Sequence, residues 1–421
     1  MTDESRTSSP TVGRRLRGAG PDEQTRTHLP RPHTAPLLDI DQVISDPGTR
    51  ILLCCGSGGV GKTTTAAALA LRAAEHGRKV VVLTIDPARR LAQSMGLVEL
   101  DNTPRPVPGV TGPDGEGSLD AMMLDMKRTF DELVERHAEP GRVQQILDNP
   151  FYQSLSTSLA GTQEYMAMEK LGQLAQESQD GENWDLIVVD TPPSRSALDF
   201  LDAPNRLGSF LDGRFVKILS APARGAGRGV GRIFGAGFSL VGGMMNKILG
   251  TQMIGEVSTF VTALDSIFGG FRNRAEQTYA LLQEEGTAFL VIAAPEPDAL
   301  REAAYFVDRL QAERMPLTGL VLNRVTRVNV EDLSAEQAVV AAERLDATDS
   351  DDPESSSRMS AAMLRLHADR VRSSQRQHHL AERFTSAHPQ VPMGEIPALA
   401  DDVHDLDGLR KVAGMLADHS R

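Results

Sequence analysis

Short apolar runs alternate with helical patterns along most of the chain. From Arg50, the run ILLCC is followed by TTTAAALALRAAEHG and then by KVVVLTID, which is the order strand, helix, strand. Later runs at residues 186–190, 288–294 and 317–323 are almost continuously apolar, as strands covered on both faces are. The pattern predicts an α/β fold with a doubly wound, mostly parallel sheet flanked by helices.

Three segments interrupt this pattern. Residues 1–45 are rich in Ser, Thr, Pro and Arg without hydrophobic periodicity, which predicts a disordered N-terminal tail. Residues 203–285 are first rich in glycine and then helical, and we interpret them as a helical subdomain inserted before the later strands. Residues 346–357, DATDSDDPESSS, predict an acidic flexible loop. The insertion and the loop then belong to one domain, residues 46–421.

Charge and composition exclude several classes of function. The formal net charge is -13, whereas non-specific binding to nucleic acid or to an anionic membrane needs a positive surface. We therefore expect no nucleic-acid partner. No apolar run approaches the roughly 20 residues that span a bilayer, and the start MTDESRTSSP lacks the core of a signal peptide. We expect no stable membrane insertion and a cytoplasmic location.

The two cysteines are adjacent, Cys54 and Cys55, within a predicted strand. Neighbours in a strand point to opposite faces, so the pair predicts buried thiols rather than a disulfide or a cysteine zinc site. This usage fits a reducing compartment.

A glycine-rich turn follows the first predicted strand. Residues 56–63, GSGGVGKT, fit G-x-x-x-x-G-K-[ST] and lie between a strand and an alanine-rich helix, which is the context of a P-loop. In such a turn, backbone N–H groups and the helix N-terminus point at phosphate oxygens. Lys62 would contact the β and γ phosphates of ATP, and Thr63 would offer its hydroxyl to Mg²⁺. The predicted nucleotide-binding residues here are Gly58, Gly59, Val60, Gly61, Lys62, Thr63 and Thr64.

Two aspartates end predicted strands of the same sheet. Asp86 follows VVVLTI and Asp190 follows LIVV, so both should reach the carboxyl edge, where the P-loop lies. We assign Asp190 to Mg²⁺ as the Walker B carboxylate, and Asp86 to the water that attacks the γ-phosphate. A helix cap or turn aspartate is the alternative for either residue.

These motifs together resemble the ArsA family of P-loop ATPases, which includes the arsenite-pump ATPase and the targeting ATPase for tail-anchored membrane proteins. The matching pieces are GSGGVGKTT, TIDPARRL and WDLIVVDTPPSRSALDFL. The resemblance implies that Asp86 is the hydrolytic aspartate, that Asn323 in LVLNRV reads the adenine edge, and that Pro392 in the QVPMGEIP turn belongs to the loop that closes over the base. A strand-end turn residue is the alternative for Asn323, and a strand-start proline for Pro392.

The P-loop departs from this family at Ser57. The family has a lysine there that reaches a dimer partner's phosphates, whereas a serine cannot supply a cation during phosphoryl transfer. Three explanations are open: a heterodimer with a paralogue carrying the intact P-loop lysine, slow hydrolysis by this chain alone, or replacement of the charge by Arg89 or Arg90. The resemblance implies a dimer, and the sequence leaves a homodimer and a heterodimer open.

Residues 233–254 carry methionines and other apolar residues broken by glycines. Flexible apolar faces suit variable hydrophobic clients, and in the tail-anchored branch of the family a helical subdomain at this place forms a groove for a transmembrane helix. Packing against neighbouring helices or a dimer partner is the alternative. The reading we favour is a Mg-ATP-dependent ATPase switch that controls a hydrophobic client- or partner-binding surface. A weakly hydrolysing ATP-binding subunit and a MinD- or ParA-like positioning ATPase are the alternatives.

Overall fold

The computed structural model describes several stretches of the chain. They are residues 35–86, 90–138, 141–149, 152–153, 156, 163–179, 183–192, 273–330, 332–348 and 356–418. These residues divide into two units. The larger unit holds the described residues of His33–Val328 and Arg376–Arg421, and the smaller holds those of Asn329–Gln375.

An eight-stranded sheet organises the larger unit. Its strands are β1 (Ile51–Cys55), β2 (Lys79–Thr84), β3 (Arg105–Pro106), β4 (Ser118–Met123), β5 (Leu186–Asp190), β6 (Thr287–Ala293), β7 (Leu317–Val325) and β8 (Met393–Pro397). Their spatial order is β3-β4-β2-β5-β1-β6-β7-β8. Neighbouring strands are parallel, except that β3 runs antiparallel to β4. The predicted mostly parallel α/β fold is confirmed.

Helices connect these strands. They are α1 (Ile40–Ser45), α2 (Lys62–Glu75), α3 (Arg90–Ser94), α4 (Met126–His137), α5 (Val143–Leu147), α6 (Gln163–Gln179), α7 (Pro297–Ala312), α8 (Ala335–Thr348), α9 (Ser356–Ala387) and α10 (Leu406–Ala417). Residues 113–115 form a turn of 3-10 helix, and residues 273–282 are also helical.

Strand β1 lies at the centre of the sheet, between β5 and β6. Its residues alternate between two cores: Leu53 and Cys55 pack on the face covered by α4, α6 and α7, and Leu52 and Cys54 on the face covered by α1, α2 and α10. Both cysteines are buried free thiols, as the alternation predicts. Because both faces of the strand are covered, β1 is apolar throughout.

The structure differs from the predicted tail over its last residues. Residues 36–38 run beside the outer edge of β8, with hydrogen bonds from Met393 N to Pro36 O (2.8 Å) and from Leu38 N to Met393 O (3.2 Å). Helix α1 follows, and Asp41 on it accepts two hydrogen bonds from Arg72 of α2, at 2.5 and 2.7 Å. The tail boundary at residue 45 is therefore wrong, because edge pairing and an ion pair order a segment without periodicity of its own. Residues 1–34 of the predicted tail lie outside the described residues.

The smaller unit contains α8 and the first part of α9. Asp346 and Arg365 form an ion pair between these helices, and the ring Nε2 of His367 lies 2.8 Å from Leu333 O. Both ends of the acidic loop predicted at residues 346–357 are helical, since α8 continues to Thr348 and α9 begins at Ser356. Residues 349–355 lie outside the described part.

The predictions for two strands and for the insertion agree only partly with the structure. Strand β8 occupies residues predicted as a turn, and β4 was not predicted. Of the insertion predicted at residues 203–285, only 273–285 are described, and 273–282 of these are helical. The apolar segment 233–254 lies outside the described residues. Helices in the described part of the chain are too short or too polar to span a bilayer.

Candidate nucleotide-binding site

The glycine-rich turn between β1 and α2 has a backbone that side chains would obstruct. At Gly56, with φ +151°, an added Cβ would lie 2.1 Å from the main-chain oxygen of Ile292 on β6. At Gly61, with φ +96°, it would lie 2.2 Å from Asn323 Nδ2 on β7. Both contacts are far inside van der Waals distance, so these two positions require glycine. The turn is thereby held close to the carboxyl ends of β6 and β7.

Helix α2 begins at Lys62 with no side chain capping its first turn, and Gly61 precedes it in a left-handed conformation. The first N–H groups of a helix have no intrahelical acceptor and carry the positive end of the helix dipole. An uncapped helix start after a glycine-rich turn is a site that favours phosphate.

The Lys62 ammonium is held inside the turn. Its Nζ donates a hydrogen bond to Ser57 O at 2.9 Å, and the residue is 6% exposed. Burial lowers the pKa of Lys62, while the carboxylates of Asp190 and Asp86 act in the opposite direction. The turn therefore encloses a cation that lies close to both acidic strand ends.

Asp190, at the end of β5, is completely buried. Its Oδ2 accepts hydrogen bonds from Thr63 Oγ1 at 2.7 Å and from Thr84 Oγ1 at 2.8 Å. Its Oδ1 is buried without a hydrogen-bond partner. Burial raises the pKa of the Asp190 carboxyl to about 6, although the two hydroxyls and the Lys62 ammonium lower it. A buried acceptor without a donor is costly unless something else binds there.

The residues around Asp190 fit a magnesium ion. The unpartnered Oδ1 of Asp190 and the Thr63 hydroxyl are hard oxygen ligands, which Mg²⁺ prefers, and Mg²⁺ takes its remaining ligands from water and phosphate. Among the described residues no group of three His, Cys, Asp or Glu side chains could bind a metal by itself. One carboxylate and one hydroxyl are what a metal that arrives with a nucleotide needs.

Asp86 lies two residues beyond β2 and is half-buried. Its amide donates a hydrogen bond to Thr84 Oγ1 at 3.2 Å. Thr84 Oγ1 in turn donates to Asp190 Oδ2, so the Asp86 main chain lies one hydroxyl away from that carboxylate. The charge of Asp86 raises the pKa of both Lys62 and Asp190. We call Lys62, Thr63, Asp86 and Asp190 the phosphate end of the site. Sequence reasoning missed Thr84, although a lone hydroxyl ending the apolar run VVVL was a signal.

The second part of the site lies beside the P-loop. Asn323 Nδ2 on β7 donates a hydrogen bond to Val60 O at 2.7 Å. Beside it is a cavity of about 160 Å³ lined by Gly61, Thr64, Asn323, Arg324, Pro397 and Leu399, among others. We call Asn323 and residues 397–399 the base end of the site. It adjoins the phosphate end through Gly61 and Thr64.

The structure does not bring Pro392 to this cavity. Pro392 precedes β8, where its carbonyl accepts a hydrogen bond from Leu320 N near the start of β7. Strands β7 and β8 are parallel, with Asn323 beside Ile396 and Val325 beside Pro397. Pro392 therefore lies at the amino edge, and its assignment to the base-closing loop is wrong. Pro397 is the proline of this segment that reaches the carboxyl edge.

Ser57 is half-buried, and its carbonyl holds the Lys62 ammonium. Of the two arginines considered as replacements for the missing lysine, Arg89 lies outside the described residues, and Arg90 begins α3 without a described side chain.

Comparison with known proteins agrees with this geometry. The model of a family described as anion-transporting ATPase matches residues 49–347. An ATPase ASNA1 homolog of Entamoeba histolytica is 24% identical over 301 residues, covering 70% of this chain and 82% of the relative. An ATPase GET3 of Malassezia globosa is 27% identical over 207 residues, covering 49% of this chain and 55% of the relative. An arsenical pump-driving ATPase of Acidiphilium multivorum is 30% identical over 163 residues, covering 38% and 26%. The family match includes the phosphate end and Asn323, and ends before Pro397.

Proposed function

Because the chain belongs to the anion-transporting ATPase family, we propose that this ATP hydrolase binds Mg-ATP at the carboxyl edge of the sheet in its larger unit. The observation that carries the proposal is the Thr63–Asp190 hydrogen bond of 2.7 Å, which leaves the buried Asp190 Oδ1 unpartnered beside an uncapped helix start. The proposed phosphate site and the proposed metal site would thus be adjacent.

Each residue of the phosphate end has a part in phosphoryl transfer. The P-loop amides and the α2 N-terminus would bind the phosphates, and Lys62 would leave Ser57 O to contact the β and γ phosphates. Thr63 and Asp190 would hold Mg²⁺, which neutralises phosphate charge when bound. Asp86 would orient the attacking water and accept its proton.

The base end would select the nucleotide. Asn323 would bind the edge of adenine, and residues 397–399 would cover the ring. Asn323 is held by its hydrogen bond to Val60 O, within the P-loop. The distance between a base bound at Asn323 and phosphates bound at Lys62 would therefore be fixed by the protein.

Single-turnover hydrolysis of Mg-ATP by Asp86→Asn tests the enzymatic part. The amide keeps the shape of the side chain and loses the base, so we expect unchanged ATP affinity and a rate lower by about 10²- to 10⁴-fold. Equal hydrolysis by parent and variant would remove Asp86 from this role. Failure of the parent to bind Mg-ATP would remove the whole proposal.

Ser57 favours a second candidate, an ATP-binding subunit that hydrolyses slowly until a paralogue carrying the intact P-loop lysine joins it. The test is ATPase activity of the chain alone, with candidate paralogues, and as Ser57→Lys. We expect the partner or the new lysine to raise the rate at least about tenfold, since a transferred cation stabilises transition-state charge. Fast turnover that neither change affects would exclude the heterodimer and favour a homodimer.

We also propose that nucleotide state controls a hydrophobic client- or partner-binding surface in a dimer. The support is the apolar composition of residues 233–254, which contain Phe234, Phe238, Met244, Met245 and Met253. Photocrosslinking from residue 244 to an apolar helical peptide, with Mg-ATP and with Mg-ADP, is the test. Equal yields in both states would contradict the switch.

A further inference from the structure

Thr84 connects the two acidic residues of the phosphate end. We propose that it is a positioning residue: its hydroxyl ties the main chain at Asp86 to the Asp190 carboxylate, so that metal binding at Asp190 fixes the place of Asp86. We call this hydrogen-bonded link through the Thr84 hydroxyl the tie. The effect of the tie on catalysis rests on the proposed function, whereas the existence of the tie does not.

The tie follows from strand register. In the parallel pair of β2 and β5, Thr84 lies directly beside Asp190. Thr84 is buried, with 1% of its surface exposed. Its hydroxyl donates a hydrogen bond to Asp190 Oδ2 at 2.8 Å and accepts one from Asp86 N at 3.2 Å. The single hydroxyl proton is therefore donated to the carboxylate, and a lone pair of the same oxygen accepts the amide proton. A valine has the same shape and can make neither bond.

The same carboxylate oxygen also binds Thr63, at 2.7 Å. Two hydroxyls on Oδ2 fix the orientation of the Asp190 carboxylate and leave Oδ1 for the metal. Thr63 lies in the first turn of α2, after the P-loop, and Thr84 lies two residues before Asp86. Asp190 therefore receives one hydrogen bond from the proposed phosphate-binding segment and one from the segment that carries Asp86. A shift of the carboxylate therefore acts on both.

The residue between Thr84 and Asp86 is already held by other bonds. Ile85 N donates to Asp190 O at 3.0 Å, and Ile85 O accepts from Gln163 Nε2 of α6 at 2.7 Å. The turn after β2 is thus fixed as far as Ile85 without help from the Thr84 hydroxyl. The next amide, that of Asp86, donates to the Thr84 hydroxyl at 3.2 Å.

The test compares Thr84→Val, which removes the hydroxyl, with Thr84→Ser, which keeps it. The matched control is Thr129→Val on α4, another fully buried threonine, whose hydroxyl lies 2.8 Å from Asp125 O and 3.1 Å from Asn102 Oδ1. Three properties of the full chain are measured. They are the steady-state kcat and KM for Mg-ATP, the melting temperature, and the hydrogen-exchange rate of the Asp86 amide without ligand and with Mg-ADP.

We expect Thr84→Val to lower kcat about 10- to 100-fold with KM for ATP changed less than about threefold, because small misplacement of a catalytic group has effects of this size. Thr84→Ser should restore kcat to within about threefold. Thr129→Val should lower the melting temperature and leave kcat unchanged. The Asp86 amide should exchange faster in Thr84→Val than in Thr84→Ser, and Mg-ADP should slow it in the parent and in Thr84→Ser alone.

Different results overturn different statements. Equal Asp86 exchange in the valine and serine variants without ligand overturns the tie, whether or not the parent hydrolyses ATP. Faster exchange in Thr84→Val with a parental kcat overturns the positioning role and leaves the ATPase proposal standing. A parent that shows no ATP hydrolysis contradicts the proposed function, and the exchange data still decide the tie.

Discussion

The phosphate end and the base end of the site are built by different means. Lys62, Thr63 and Asp190 are close in space because a contiguous motif and one strand end meet at the carboxyl edge, and Lys62 and Asp190 are buried. The base end joins Asn323 to residues 397–399, more than 70 positions later, through the parallel register of β7 and β8. The residues of the proposed phosphate end are thus set by a local sequence motif, whereas those of the proposed base end come together through a strand pairing that no local pattern shows.

The largest effect should come from breaking the phosphate end at Asp190. Asp190→Asn removes the metal-binding charge, and we expect ATP hydrolysis to fall about a thousandfold because several kcal/mol of charge stabilisation is lost. The rate is measured over a Mg²⁺ titration. Asp185→Asn is the control, since that carboxylate lies just before the same strand and pairs with Arg78. It should lower stability and leave Mg²⁺ dependence intact, and equal Mg²⁺ dependence in both variants would contradict the assignment.

A smaller effect should come from the junction of the two ends, at Gly61. Gly61→Ala would place a Cβ 2.2 Å from Asn323 Nδ2, in a backbone conformation with φ +96°. We expect ATP affinity to fall about 10- to 100-fold, from backbone strain of about 1–3 kcal/mol together with the displaced amide. Gly59→Ala is the matched control, since Gly59 also has positive φ, +79°, but an added Cβ meets nothing within 4 Å. Equal losses of affinity in calorimetry would mean that strain alone acts.

Asn323→Ala tests base binding at the base end of the site. Loss of a hydrogen bond to the base should weaken ATP binding about tenfold, and inorganic triphosphate, which has no base, should bind as in the parent. Asn183→Ala, at the opposite edge of the sheet, controls for a general loss of an amide. Equal weakening for ATP and triphosphate would place Asn323 in support of the P-loop rather than in base recognition.

The smallest effect is the response of the phosphate end to pH. The pKa of Asp190 is raised from 3.8 to about 6 without metal, so the native state holds more protons than the unfolded chain between these values. The free energy of unfolding should then decrease as pH rises through this window and be level above it. Mg²⁺ binding needs the ionised carboxylate, so affinity for Mg-ADP should fall about tenfold per pH unit below pH 6. Asp190→Asn should abolish both dependences, and an unchanged stability slope in that variant would assign the titration to another group.

The sequence predicted those parts of the site in which the chemical motif and the secondary-structure pattern occupy the same short segment. The order strand, glycine-rich turn and helix fixed the P-loop, and the ends of β2 and β5 placed Asp86 and Asp190 near Lys62. Pro392 was misplaced because a five-residue strand bounded by prolines looks like a turn, and its register against β7 is a tertiary property. Residues 36–38 were missed for a similar reason, since hydrogen bonds to β8 supply the order that their own composition does not.

The way the sheet ends has a consequence for aggregation. Fibril growth needs unpaired backbone amides along an outer strand, to which a strand of the next copy can hydrogen-bond. One outer strand, β8, is already met at Met393 by residues 36–38 and finishes in Pro397, and the other, β3, is two residues long and finishes in Pro106. Proline has no amide hydrogen to offer. In the described sheet, both outer strands therefore offer few free amides for pairing with a strand of another copy.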